Sequence, residues 1–246
     1  MNSWNKTRPK TARELGIMTG FPPPPEKQPS ADNWDLPPFN RSSFQHMRSL
    51  FPTVDVYRGS GPVSVFSRAE VNILDTKFTN SAGQVSSIQQ FLDETYTDGL
   101  LIYPGGKIRH ESYYNDMAPE TLHLSQSVAK SVVGTTTGIL IQRGELDPNR
   151  PLARYVKELA TCGYGDATLS DVLNMQSGVQ FNEDYGTPDS DMTRVDIAAR
   201  GVFGQLIYVD RISDLMVVKL SSWPDYLIHK FTLDTFLAID AIREAL

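Results

Sequence analysis

Residues Leu124–Gly134, LSQSVAKSVVG, place a serine three residues before a lysine at the start of a long apolar segment. Three residues are nearly one helical turn, so in a helix Ser127 and Lys130 lie on one face, within reach of each other. A serine hydroxyl is a weak nucleophile until a neighbouring base takes its proton, and a lysine can be that base once its pKa is lowered. The backbone N–H of Ser127, at the helix N-terminus, is also suited to stabilising an oxyanion. The stretch therefore predicts a nucleophile, its base and half of an oxyanion hole.

The surroundings of this motif carry more information than its spacing. Ser-x-x-Lys also occurs at Ser3–Lys6, in a polar tail where it has no predicted role. The second copy opens an apolar run over 128–141, which is too apolar for a surface helix and predicts a buried one. Gly144 is suited to the C-terminal cap of that helix, and Pro148 follows it.

Composition excludes several classes of function. The chain has 246 residues and a formal net charge of −6, with no cluster of basic residues, which argues against nucleic acid as a partner. One cysteine, Cys162, excludes an internal disulfide. The histidines show no metal-ligand spacing, so we predict no metal and interpret each of them as a surface or hydrogen-bonded residue: His46, His110, His123 and His229.

The N-terminal sequence and the hydropathy bear on location. The first residues are polar and do not form an apolar signal segment, and no apolar stretch reaches the length of a membrane span. We therefore expect a cytoplasmic protein without a membrane partner.

Proline content divides the chain into two parts. Residues 1–40 contain two proline-rich stretches, which form neither helix nor central strand, so we predict an extended arm. The arm is expected to lie over its own domain, residues 41–246, with Trp34 and Phe39 as anchors. A ligand for a partner module is the alternative interpretation of the arm. A short helix is predicted over 41–50.

Two hairpins and several helices set the fold class. Apolar runs at 99–103 and 108–114 flank a glycine turn, and period-two runs at 205–209 and 215–223 make a second hairpin. A helix is expected at 88–92, a capping box at Thr168–Asp171 and a closing amphipathic helix at 231–242. These elements predict an α+β fold, in which one antiparallel sheet is assembled from both ends of the chain and packs against helices.

Four stretches in this order resemble the serine β-lactamase and penicillin-binding-protein superfamily, in particular its 6-aminohexanoate-dimer (nylon oligomer) hydrolase branch. They are Gln126–Ser131, Asp171–Gly178, Asn182–Tyr185 and Val218–Pro224. The resemblance covers roughly residues 30–246 and implies a β-lactamase-like fold. It also implies a hydrolase of small amides or esters that works through an acyl-serine on Ser127, with Lys130 as base. Tyr185 would lie beside the substrate, and no cofactor is implied.

The sequence departs from that family in two of its catalytic elements. No Tyr-x-Asn or Ser-x-Asn follows Ser127, so the tyrosine that shares proton transfer in the family is missing. The strand edge that completes the oxyanion hole corresponds to Gly201–Gln205, with Phe203 where a polar side chain is expected. Backbone N–H groups of this turn can still serve, so the residues assigned to substrate binding beside Tyr185 are Val202, Phe203 and Gly204.

The chain also looks internally shortened. Residues 187–196 form a short link where relatives have a domain-sized helical segment, so most of the helical domain is predicted to be missing. Such a loss should uncover apolar surface on the helix after Ser127, and a homodimer is one way to cover it.

Two other functions stay open at this stage. The chain could be a non-catalytic remnant or a binding module of the same fold. It could also be a β-lactam-recognising enzyme, which the predicted cytoplasmic location disfavours, because such enzymes usually work outside the cytoplasm.

Overall fold

The computed structural model describes residues 8–178 and 197–246. The chain divides into two compact units: unit 1 comprises Met1–Val128 and Thr193–Leu246, and unit 2 comprises Ala129–Met192. The described part of the arm belongs to unit 1, and the boundary at residue 40 stays a prediction.

The helices and strands of the described residues are as follows. The helices are α1 (Asn40–Ser43), α2 (Ile88–Glu94), α3 (Val128–Gln142), α4 (Leu169–Leu173) and α5 (His229–Ala245). The strands are β1 (Ser67–Arg68), β2 (Lys77–Thr79), β3 (Val85–Ser87), β4 (Thr97–Pro104), β5 (Lys107–Ile108), β6 (His110–Tyr113), β7 (Ile197–Gly201), β8 (Gln205–Asp210) and β9 (Leu215–Ser221). Short 3-10 turns lie at Pro25–Lys27, Met47–Ser49, Leu152–Arg154, Lys157–Thr161 and Val202–Gly204.

A five-stranded antiparallel sheet forms the centre of unit 1, in the order β6-β4-β9-β8-β7. Both predicted hairpins are present, as β4 with β6 and as β8 with β9. The pairing of β4 with β9, in which Leu101 lies opposite Val218, joins the first half of the chain to its end. The prediction of one sheet assembled from both parts of the chain is confirmed.

The main core lies between this sheet and two helices. Helix α2 begins with a capping box, in which the Ser87 side chain accepts from the Gln90 N–H and the Gln90 side chain accepts from the Ser87 N–H. Its apolar face and that of α5 cover alternate residues of the strands. The buried side chains include Ile88, Phe91, Leu92, Leu100, Ile102, Leu206, Tyr208, Val217, Ile239 and Ile242.

A second cluster of buried side chains in unit 1 is aromatic, and it packs against the arm and against the segment before Ser127. Phe44, Phe203 and Trp223 are buried together, and Trp34 of the arm packs on Phe44 with ring centroids 6.0 Å apart. The arm therefore lies over its own domain with Trp34 as an anchor, as expected. Phe39 is only half-buried. The helix expected over 41–50 is shorter, and a 3-10 turn follows it.

Helix α3 has the predicted bounds but not the predicted burial. It runs from Val128 to Gln142, and Gly144 adopts a left-handed φ of +73° just after it. Of its side chains only Val128 is buried, so the prediction of a buried helix is wrong for the described residues. Apolar composition favours burial but cannot supply a partner, and unit 2 by itself adds only α4 and short 3-10 turns among its described residues. The side chains of Val132 and Val133 are exposed.

Candidate active site

The start of α3 fixes where Ser127 and Lys130 lie relative to the helix. Because the helix begins at Val128, Ser127 directly precedes it and Lys130 lies in its first turn. Ser127 is half-buried in unit 1, whereas Lys130 is exposed and belongs to unit 2. Their catalytic pairing stays a prediction.

The residue before Ser127 has a strained backbone. Gln126 adopts a φ of +48°, a left-handed conformation that costs a residue with a Cβ about 1–2 kcal/mol. The N–H of Val128 donates to the carbonyl of Ser125 at 3.1 Å and closes the turn around Ser127. Non-glycine residues held in such conformations cluster at functional sites, because the surrounding structure must enforce them.

The end of β7 packs directly against this turn. A Cβ at Gly201 would lie 3.0 Å from the carbonyl oxygen of Ser125 and 3.1 Å from the Cβ of Gln126. Only glycine leaves room for so close an approach of two backbones. The structure therefore brings the predicted strand edge, starting at Gly201, next to the residues that precede Ser127.

The turn after β7 places Phe203 among other aromatic side chains. The Phe203 ring is buried 5.2 Å from the Phe44 ring, edge to face, and the Phe203 N–H donates to the carbonyl of Tyr226 at 2.9 Å. The ring of Phe203 is thus engaged in packing and its N–H in a hydrogen bond, and its assignment to substrate binding stays a prediction. The N–H groups of Val202 and Gly204 remain the candidates from this turn, and Val202 packs against the same aromatic cluster.

A buried charged network lies beneath the segment that leads to Ser127. The Arg41 Nη1 is 2.9 Å from the Asp98 Oδ1, and the His123 Nε2 is 3.1 Å from the Asp98 Oδ2. Arg41 also donates to the Ser222 Oγ at 2.6 Å. The sequence interpretation of His123 as a surface or hydrogen-bonded residue did not identify these partners, because Asp98 is 25 residues away in the chain and Arg41 is 57 residues from Asp98.

Comparison with known proteins identifies the family. A family model described as Beta-lactamase matches residues 86–225, more than half of the chain. This chain belongs to the beta-lactamase family. The match includes Ser127, Lys130 and the turn after β7, and it confirms the resemblance inferred from the sequence.

One curated protein and one solved structure are similar to this chain. The 6-aminohexanoate-dimer hydrolase of Paenarthrobacter ureafaciens is 34% identical over 172 residues, which are 70% of this chain and 42% of that protein. The chain thus spans about two fifths of the length of this curated relative. A solved structure from Bacillus anthracis, provisionally named a 6-aminohexanoate-dimer hydrolase, aligns with a TM-score of 0.72 over 87% of this chain and 96% of its own. At 15% identity it supports the beta-lactamase-like fold alone.

Some of the predicted features lie outside the described residues. Tyr185, with its stretch Asn182–Tyr185, and the link at 187–196 fall there, so their roles stay predictions. Within 8–178 and 197–246, no group of three or more His, Cys, Asp or Glu side chains is arranged to hold a metal ion. None of the helices in those ranges combines the length and apolar character that a membrane span needs.

Proposed function

We propose that this chain is a serine hydrolase of small amides or esters that forms an acyl-enzyme on Ser127. The observation that supports it most strongly is the family match across residues 86–225, with Ser127 at the start of α3 and Gly201 against the preceding turn. The name of the Paenarthrobacter ureafaciens relative makes a 6-aminohexanoate dimer the first substrate to test. No cofactor is part of the proposal.

The proposed reaction has two halves. The Ser127 Oγ attacks the carbonyl carbon while the Lys130 Nζ takes its proton, and the resulting oxyanion accepts hydrogen bonds from the Ser127 N–H and from an N–H of the Val202–Gly204 turn. Collapse breaks the amide or ester bond, and the leaving amine or alcohol takes the proton from Lys130. Water then attacks the acyl-serine and releases the acid, and the Ser127 hydroxyl is restored.

The missing Tyr-x-Asn element should slow this reaction. Loss of one proton-transfer group typically costs about 10²–10⁴-fold in rate. Activated esters need less help from a general acid than amides do, because their leaving group is already a weak base. We therefore expect esters to be hydrolysed faster than amides.

Hydrolysis assays on matched variants test the proposal. The parent, Ser127→Ala, Lys130→Ala and Ser131→Ala are assayed with a p-nitrophenyl ester and with the 6-aminohexanoate linear dimer. We expect hydrolysis by the parent and by Ser131→Ala, a loss of at least about 100-fold in Lys130→Ala, and none in Ser127→Ala. Turnover that survives in Ser127→Ala would contradict the proposal. Rapid hydrolysis of a chromogenic cephalosporin would instead favour a β-lactam-recognising enzyme.

A non-catalytic binding module is the second candidate. The chain covers only 42% of its curated relative, and a family member without its proton-transfer tyrosine can keep a cleft and lose turnover. Saturable binding of the linear dimer to a folded chain, without acylation or product, would favour this function over hydrolysis.

A further inference from the structure

We propose that His123 is a positioning residue for Ser127 and that it acts in its doubly protonated form. The inference rests on the proposed function, in which Ser127 is the nucleophile. His123 lies four residues before Ser127, and all the contacts that carry the argument are within unit 1.

The two ring nitrogens of His123 both face acceptors. The side chain is 1% exposed, its Nδ1 lies 2.9 Å from the carbonyl oxygen of Leu124, and its Nε2 lies 3.1 Å from the Asp98 Oδ2. A backbone carbonyl has no hydrogen to give, and neither has an ionised carboxylate, so both ring nitrogens must donate. A neutral imidazole has one N–H and would place a lone pair against one of these oxygens.

Asp98 is the charged member of the pair. The same two hydrogen bonds would also form if His123 were neutral and Asp98 were protonated. The Arg41 guanidinium, 2.9 Å from the Asp98 Oδ1, favours the ionised carboxylate, and the Asp98 side chain is fully buried with it. The proton therefore belongs on His123.

The elements around His123 supply few other charges. Helix α1 contributes Arg41 and is followed by the neutral ring of Phe44, which stands edge-on to the imidazole with centroids 6.1 Å apart. Strand β4 contributes Asp98, and Lys219 of β9 acts on Asp98 through space. Burial lowers the pKa of Lys219 to about 7, so above neutral pH Asp98 faces mainly Arg41 and His123.

His123 is linked to Ser127 through a backbone segment that is held at several points. The Leu124 carbonyl faces the imidazole, and the Leu124 N–H donates to the Phe44 carbonyl at 2.8 Å. Two residues further, Gln126 is kept left-handed, and the Val128 N–H bonds back to Ser125. If His123 loses a proton, one of its two contacts becomes repulsive and the Leu124 carbonyl is no longer fixed.

The consequence is a loss of reactivity when His123 is replaced. Displacing a reacting group by about 1 Å can cost about 100-fold in rate. A side chain without two ring N–H groups no longer holds both the Leu124 carbonyl and the Asp98 carboxylate, and it releases the segment that carries Ser127. A variant without His123 should therefore react more slowly than the parent.

Two histidine variants test the proposal. His123→Gln removes the doubly bonded ring, and His46→Gln is the matched control, because the His46 Nδ1 faces only the Ser42 carbonyl, four residues before it, at 2.8 Å. We expect a fluorophosphonate to label His123→Gln at least about 10-fold more slowly than the parent, and the Leu124 amide to exchange faster. His46→Gln should match the parent in both readouts, and circular dichroism checks that the variants are folded.

Two readouts keep this proposal separate from the proposed function. Amide exchange at Leu124 reports on positioning even if the parent is not labelled. A parent that is not labelled would count against the proposed hydrolase function and not against the positioning role of His123. The ¹⁵N resonances of the His123 ring in the parent need no variant, and at neutral pH they should show protons on both nitrogens. A single protonated ring nitrogen, or parent-like protection of Leu124 in a folded His123→Gln, would overturn the inference.

Discussion

Lys219 is the most deeply buried cation that the structure describes in unit 1. It is 2% exposed, its Nζ donates to the Ser221 Oγ at 2.5 Å, and it lies over the rings of Phe91 and Trp223 at 5.5 and 5.7 Å. Burial lowers its pKa from 10.5 to about 7, against an opposing effect of Asp98. A second lysine–serine pair thus exists in this chain, but the core closes it to substrate.

This burial predicts a pH-dependent stability. Between pH 7 and pH 10.5 the unfolded chain holds a proton on Lys219 that the folded chain has released, so the free energy of unfolding should rise with pH in that window. Each unit of pKa difference corresponds to about 1.4 kcal/mol. Below pH 7 both states are protonated, and the folded state bears the full cost of the buried charge.

Urea unfolding of Lys219→Met at several pH values tests this expectation. The variant should have a flatter stability profile between pH 7 and pH 10 and should be the more stable form at pH 6. The control is Lys107→Met, an exposed lysine in β5, which should keep the parent's slope. Equal slopes in the parent and Lys219→Met would contradict the assignment of this pH dependence to Lys219.

At the scale of single residues, the sequence predicts positions relative to a helix better than it predicts contacts. The spacing of Ser127 and Lys130 relative to the helix start follows from local rules and is reproduced by α3. The links of Asp98 to Arg41 and His123 depend on how distant segments meet. No local pattern in the sequence indicates those partners.

The turn between β7 and β8 shows how tightly two elements can depend on one residue. Gly204 has a φ of +84°, and a Cβ there would lie 2.2 Å from ring atoms of Trp223. Trp223 is itself buried against Phe231, with ring centroids 5.4 Å apart, so it has little room to move. The turn that follows Gly201 therefore requires glycine for both conformation and space.

Gly204→Ala should destabilise unit 1 far more than the same substitution at a glycine that has a positive φ but free space around it. Gly83, between β2 and β3, has a φ of +73°, and a Cβ added there would meet no atom within 4 Å, so it is the matched control. We expect a loss of about 1–2 kcal/mol for Gly83→Ala and at least about 3 kcal/mol for Gly204→Ala. Chemical unfolding measures both, and similar losses would show that Trp223 yields more easily than its packing indicates.

At the scale of elements, the predictions succeed where a pattern is local and fail where burial decides. Both hairpins, the capping box at Thr168 and the bounds of α3 follow from turn chemistry, capping and hydrophobic period. The predicted burial of α3 is wrong because a helix is buried only when another element covers it. The sequence shows how apolar α3 is, but not what lies beside it.

At the scale of the whole chain, unit 1 holds the sheet, its core and nearly all the described residues of the candidate site. Ser127, the charged network beneath it and the turn after β7 belong to this unit, whereas Lys130 is the second residue of unit 2. The family match spans both units, from residue 86 to residue 225. The residues of the catalytic proposal therefore come from both units.

Mass spectrometry of the intact protein after exposure to a fluorophosphonate tests that claim most directly. In this reaction the Ser127 oxygen forms a bond to phosphorus and fluoride leaves, so the nucleophile is tested without a substrate. The parent and Ser131→Ala are each predicted to gain one adduct, Lys130→Ala to gain it more slowly, and Ser127→Ala to gain none. Circular dichroism on the same samples checks the fold, and a folded parent that gains no adduct, or an adduct that persists in Ser127→Ala, would contradict the account.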